Sequence, residues 1–330
     1  SGKLSTSFDY YTRYTNDMVG PAPELPVILG NNVPSVNNTD LKTYGFELEA
    51  TWKDRLKNGL GYSVQVLLSD AQTVIEKYPN PTGNLDTYVE GRKLGEIWGY
   101  ETIDIARNEG DMEAHLATLP NGGQDALGSQ WEQGDIMYRD LNDDGKIDNG
   151  ANTINEHGDI KVIGNSTARF PFSVDLAADW KGFDIRAFFQ GVLKSDYYIN
   201  SYYFWGAWDW GIWWSSGLTQ HEDYFRADAD HPLGQNLDAY YPRPLFNGKN
   251  HQSQTGYLQD ASYIRLKNLQ FGYTIPERWA NSIGIEKLRV YVSGENIWTG
   301  TKMTKIFDPE TVFNPDRWTG TNYPLNRTIS

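Results

Sequence analysis

Apolar and polar side chains alternate with a period of two along much of the chain, the pattern of strands that face two unlike surroundings. In Leu4–Tyr14, the residues Leu4, Phe8, Tyr10 and Tyr14 share one face, and Ser5, Ser7, Asp9 and Arg13 the other. In Tyr44–Lys53, the residues Tyr44, Phe46, Leu48, Ala50 and Trp52 alternate with Glu47, Glu49, Thr51 and Lys53. Leu60–Leu68, Phe170–Trp180 and Phe183–Leu193 repeat the scheme, the last two with Asp175, Asp179, Asp184 and Arg186 on the polar side. Two more strands read as Ile264–Thr274 and Lys287–Trp298, and an eighth runs from Asn326 to Ser330.

The segments between them alternate in length. Thr15–Asp40, Ala71–Thr167, Lys194–Gly256 and Gly300–Leu325 are long, whereas Asp54–Asn58, Lys181–Gly182 and Ile275–Glu286 are short. Antiparallel neighbours place every second connection at the same end of a sheet. One end is therefore trimmed to turns and the other bears elaborate loops, as in outer-membrane barrels. The strands also reach the ~10 residues that a tilted membrane strand needs. Aromatics collect near strand ends (Tyr10, Tyr11, Tyr14, Trp52, Trp180, Phe183, Trp298), where interface girdles sit. The competing soluble architecture is a β-sandwich, which alternates in the same way. True charges on the polar face favour a wet lumen over a second sheet.

Composition sharpens this choice. Aromatics make up 14% of 330 residues, with 12 Trp and 21 Tyr, yet mean hydropathy is −0.60, and no apolar run approaches a membrane helix. Cysteine is absent and net charge is −14, which excludes a disulfide framework, thiolate metal sites and a nucleic-acid partner. The start "SGKL" reads as a strand opening, with no signal peptide ahead of it.

Two stretches carry candidate chemistry. In "DLNDDGKIDNG", Asp140, Asn142 and Asp144 take positions 1, 3 and 5 of a calcium loop. Gly145 makes its turn, the Lys146 carbonyl stands at position 7 and Asp148 at 9. Position 12, where a bidentate acid belongs, is Ala151, and the flanks are not helical, so an EF-hand sensor is excluded. The metal-free alternative is an acidic hairpin of Asx turns. In "YYINSYYFWGAWDWGIWW", Tyr203, Trp205, Trp208, Trp210, Trp213 and Trp214 offer faces that stack on a ligand or a partner, with Asp209 to accept hydroxyls. The alternatives are a core for the loop itself or a place at the membrane interface. No catalytic constellation is present: Glu47 and Glu49 merely share a strand face, and the five histidines lack zinc spacing. Nothing in the sequence calls for an organic cofactor.

Several segments together resemble the C-terminal part of SusC/RagA-type TonB-dependent outer-membrane transporters. They are "SFDYYTRYTNDMV", "LKTYGFELEATW", "LGEIWGYETIDI", "GDIMYRDLNDDGKID", "VIGNSTARFPFSVDLAADWKGFDIRAFFQG", "YLQDASYIRLKNLQFGYTIP" and "LRVYVSGENIWTGTK…FDPE". The resemblance runs over nearly the whole chain and in the family's order. It implies an all-β fold: about the last eight strands of an antiparallel transmembrane barrel of about 22 strands, closed around a plug. On this reading residues 1–330 form the C-terminal barrel part, without the plug and the first strands. Residues 71–167 are then a long extracellular loop containing a calcium-like loop at 140–159, and residues 194–256 an aromatic-rich one. The resemblance adds Asp159, ahead of "IKVIG", to the candidate calcium donors. It implies a Gram-negative outer membrane, energy from a TonB complex through the absent N-terminal part, and a SusD-like lipoprotein lid. The implied cargo is an oligosaccharide, or alternatively a peptide. A secreted, calcium-dependent β-sandwich that binds glycans is the competing reading.

Overall fold

The alternating segments fold as strands, each paired with its neighbour in sequence. The structure is a computed structural model that describes residues 2–20, 35–207, 215, 217–312, 322 and 325–330. Three long strands come first: β1 (Leu4–Gly20), β2 (Val36–Arg55) and β3 (Gly61–Lys77). The loop after them holds β4 (Glu96–Tyr100), β5 (Thr102–Ile105), helix α1 (Asp111–Ala117), β6 (Ile136–Tyr138) and β7 (Ile160–Asn165). Then come β8 (Arg169–Trp180) and β9 (Phe183–Lys194), and a second loop with β10 (Asp196–Tyr198), helix α2 (Tyr202–Trp205) and β11 (Leu258–Asp260). The chain continues through β12 (Tyr263–Thr274), helix α3 (Glu277–Asn281), β13 (Arg289–Thr301) and β14 (Thr328–Ile329).

Eight of these strands make one antiparallel sheet in the order β1-β2-β3-β8-β9-β12-β13-β14, the eight that alternation predicts. The first three are longer than expected, extending toward the loop end. Register aligns the faces. Phe8 lies opposite Leu48, Leu48 opposite Leu68, and Leu68 opposite Phe172. Further along, Ile185 faces Phe271 and Phe271 faces Val292. A slip of one residue would turn each row to the other side, so this register fixes which face is apolar. The β8–β9 turn is the tightest: Lys181 and Gly182 both have positive φ, 49° and 89°. A two-residue hairpin of that hand requires this, and glycine adopts it without a Cβ penalty.

The apolar face is bare. Phe8, Leu176, Ile185, Phe271 and Val292 keep between 39% and 64% of their surface exposed. Leaving such side chains in water forgoes roughly 1.5–3 kcal/mol each, a cost that a hydrocarbon surround removes. The other three sheets have two strands each and lie in the loops, so among the described residues no second sheet covers this face. Among them, too, no helix is long and apolar enough to cross a membrane.

The hydrophobic core sits in the loops instead of on the sheet. Ile136, Tyr138 and Ile147 from the 78–168 loop pack with Ile199, Phe204, Phe225 and Tyr257 from the 195–262 loop, and with Met303, Phe307 and Val312 from the last. The last loop is tied to the wall by Arg265, which is 2% exposed. Its guanidinium reaches Asp308 at 2.6 Å and Glu310 at 2.8 Å.

Candidate functional site

Opposite the bare face, the sheet presents a polar, concave one. Cross-strand alternation brings unlike charges together there. Arg186 pairs with Asp175, Arg289 with Asp184 and Gln270, and Arg55 with Asp179 at 2.8 Å. Gln65 donates to Glu49 at 2.7 Å. A cavity of about 440 Å³ lies along this face, with Ser7, Asp9, Glu47, Glu49, Ser69 and Gln190 among its lining. Chemically this is a polar wall with fixed charge.

The acidic loop is a closed hairpin. Asx turns fold it: the Asp144 amide donates to Asn142 Oδ1 at 3.1 Å, the Lys146 amide to Asp144 Oδ1 at 3.1 Å, and the Gly150 amide to Asp148 Oδ1 at 2.8 Å. Gly145 has φ +79° and donates to Asp140 Oδ2 at 2.8 Å. Asp159, fully buried, lies beneath and accepts from the amides of Leu141 at 2.7 Å and Asp148 at 2.8 Å. The structure thus brings together Asp140, Asn142, Asp144, Lys146, Asp148 and Asp159. Burial pushes the Asp159 carboxyl up, and Asp140 and Asp144 push the same way. The Lys146 ammonium holds Asp148 below the usual carboxylate range and lies 3.8 Å from Asp144. The loop therefore supplies its own cation. Among the described residues no three His, Cys, Asp or Glu side chains converge to hold a metal as they stand. One oxygen departs from this closure: Asp140 Oδ1 is buried and has no hydrogen-bond partner.

The aromatic stretch divides. Trp208, Asp209, Trp210, Trp213 and Trp214 lie outside the described residues. Trp205 is 5% exposed, and its ring lies 4.6 Å from that of His251 and 4.7 Å from that of Tyr257. Its ring packs within the loop core, the alternative to ligand stacking that the sequence offered. Tyr203 is half-buried against Tyr202, with ring centroids 4.3 Å apart. Burial lowers His251 to about 4, so its imidazole is neutral, as a core ring must be.

Sequence reasoning missed a buried ionic node that joins the two great loops. Asp135, fully buried, accepts from Arg243 Nε and Lys249 Nζ at 2.8 Å each, from Asn250 Nδ2 at 2.9 Å and from the Glu132 amide at 3.0 Å. Burial pushes the Asp135 carboxyl up and the Lys249 ammonium down, but only the charged pair satisfies all these donors. Arg243, Lys249 and Asn250 stand 108 to 115 positions away in the chain, and no local pattern announces such a meeting.

Comparison with known proteins supplies the context. No protein-family model matches the chain. It is 28% identical over 327 residues to TonB-dependent receptor P3 of Formosa agariphila, covering 95% of this chain and 29% of that receptor. TonB-dependent receptor P26 of the same organism is 22% identical, over 94% of this chain and 30% of its own length. Among solved structures, the RagAB peptide transporter superposes with a TM-score of 0.62 at 21% identity, over 93% of this chain and 31% of that one. The RagAB peptide importer in its 'open-open' state also gives 0.62, at 20% identity. The chain thus spans about a third of the length of the proteins it matches. Bare strands, a charged opposite face and described loops that pack together are what a segment of barrel wall requires, and the resemblance read from the sequence is borne out: in sequence the chain is similar to TonB-dependent receptors, and in fold to the RagAB peptide transporter.

Proposed function

We propose that this chain forms wall and surface loops of a TonB-driven outer-membrane importer. A SusD-like lipoprotein rests on its long loops and an oligosaccharide is the cargo. The observation that carries the reading is the eight-stranded sheet with one exposed apolar face and one ion-paired polar face, and with the described parts of its long loops packed together. The aromatic-rich sequence of the 194–256 loop favours a sugar, whose C–H faces stack on aromatic rings. A peptide is the second reading, favoured by the fold's likeness to the RagAB peptide transporter.

The test is uptake by cells that carry or lack the intact receptor, offered fluorescent oligosaccharides and fluorescent peptides with and without a protonophore. Receptor-dependent, protonophore-sensitive entry of an oligosaccharide supports the proposal. Entry of peptides alone replaces the cargo, and entry indifferent to the protonophore removes TonB from the scheme. Co-purification of a surface lipoprotein with the tagged receptor tests the lid.

Calcium binding by the 140–159 loop is a separate proposal. The spacing of Asp140, Asn142 and Asp144 and the unpartnered Asp140 Oδ1 support it, and the Lys146 ammonium already seated on Asp148 opposes it. Calorimetric titration of calcium into the intact receptor decides: saturable heat that Asp140→Asn abolishes supports an ion there, and absence of heat leaves Lys146 as the loop's cation.

A further inference from the structure

The short-turn end of the wall carries an apolar rim that no described part of the chain covers. The longest short turn, 275–288, folds through α3 over the buried Ala280, yet leaves Trp279 56% and Ile283 65% exposed, with Ile285 beside them. Leu56, Trp180 and Phe183 are exposed on the two neighbouring turns and their flanks. The turns are bonded to one another: the Thr274 amide donates to the Gly182 carbonyl at 2.8 Å, and Trp180 Nε1 to the Asn58 carbonyl at 3.2 Å. The rim continues the bare face of the sheet, since Tyr273 pairs with Val290 where β12 and β13 meet this turn.

Cations accompany these rings. Lys57, Lys181, Arg278 and Lys287 are exposed, and among the described residues none is paired with a carboxylate. The Lys181 ammonium lies 4.6 Å from the Trp180 ring centroid and the Arg278 guanidinium 5.5 Å from that of Trp279. Glu277 and Glu286 share the turn, but unpaired cations beside exposed indoles stand out on a chain of net charge −14. Indole rings settle at the level of lipid headgroups, and long basic side chains reach past them to phosphate.

We propose that this rim binds anionic phospholipid headgroups of the leaflet that meets the short turns, with Trp279 and Ile283 set into the interface. The proposal rests on the barrel reading above, and its test separates the two. The intact receptor, carrying a fluorophore at Ile283→Cys or, as wall control, at Leu176→Cys, is placed in nanodiscs of phosphatidylcholine with phosphatidylglycerol, using brominated acyl chains as quencher. Quenching is expected at both positions. Retention of phosphatidylglycerol over phosphatidylcholine, read by native mass spectrometry, is expected to fall at least about tenfold when Lys57, Lys181, Arg278 and Lys287 all become Gln. Quenching at 176 without quenching at 283 overturns the proposal and leaves the barrel standing, with water or a periplasmic protein on the rim. Unchanged lipid retention in the quadruple variant also overturns it. No quenching at 176 removes the barrel reading itself.

Discussion

Asp135 meets two cations, an amide side chain and a backbone N–H in a fully buried place. A buried pair of this kind adds little over a well-packed apolar cluster, but breaking it by removing one partner costs about 3–5 kcal/mol. Asp135→Ala leaves the buried Lys249 without its carboxylate and Arg243 with that of Glu132 alone, so limited proteolysis of the intact receptor is expected to open the 78–168 and 195–262 loops while the wall stays protected. Loops as resistant as in the parent would show that the node holds nothing together. Asp159 gives a pH dependence. Its folded carboxyl keeps a proton more tightly than the ordinary value of 3.8, so between that value and its raised pKa the folded loop binds more protons than the unfolded one. Stability therefore rises as pH falls into this window and is lost as pH climbs through the folded pKa. Hydrogen exchange at the Leu141 and Asp148 amides, corrected for the intrinsic rate, is expected to slow in mild acid, and Asp159→Asn to flatten the trend. Protection that grows toward neutral pH would contradict it.

Among the elements, the wall strands were legible because alternation, register and exposure all follow from one physical demand, a boundary between oil and water. Phe46, Leu48 and Trp52 could be placed on one face from spacing alone, and the β8–β9 turn from "KG". The loop strands were not legible. Residues such as Gln124 and Gln254 are fully buried because distant backbone groups meet them: Gln124 bonds the Ile136 carbonyl and the Tyr138 amide, contacts that no periodicity encodes. Trp205 likewise looked available for stacking because sequence cannot tell an exposed aromatic loop from one that closes on itself. The wall reading predicts unequal faces. Leu176→Arg is expected to destabilise the receptor in bilayers by about 2–4 kcal/mol near the midplane, and Ser173→Arg on the concave face by much less. Denaturant titration of the receptor folded into vesicles measures both, and equal costs would deny that the faces differ in surroundings.

For the molecule as a whole, burial is inverted relative to a soluble protein: the sheet, its largest element, is bare on one side, and the core lies in the loops above it. That inversion is what separates a wall segment from a sandwich. It is best tested with nitroxides at Phe46, Leu176 and Ile185 of the intact receptor in bilayers, comparing collision with dissolved oxygen against collision with a water-soluble nickel chelate. All three labels are expected to meet oxygen freely and the chelate hardly at all, with Gln65 and Ser173 showing the reverse. Labels at 46, 176 and 185 that neither reagent reaches, packed against protein, would contradict the barrel.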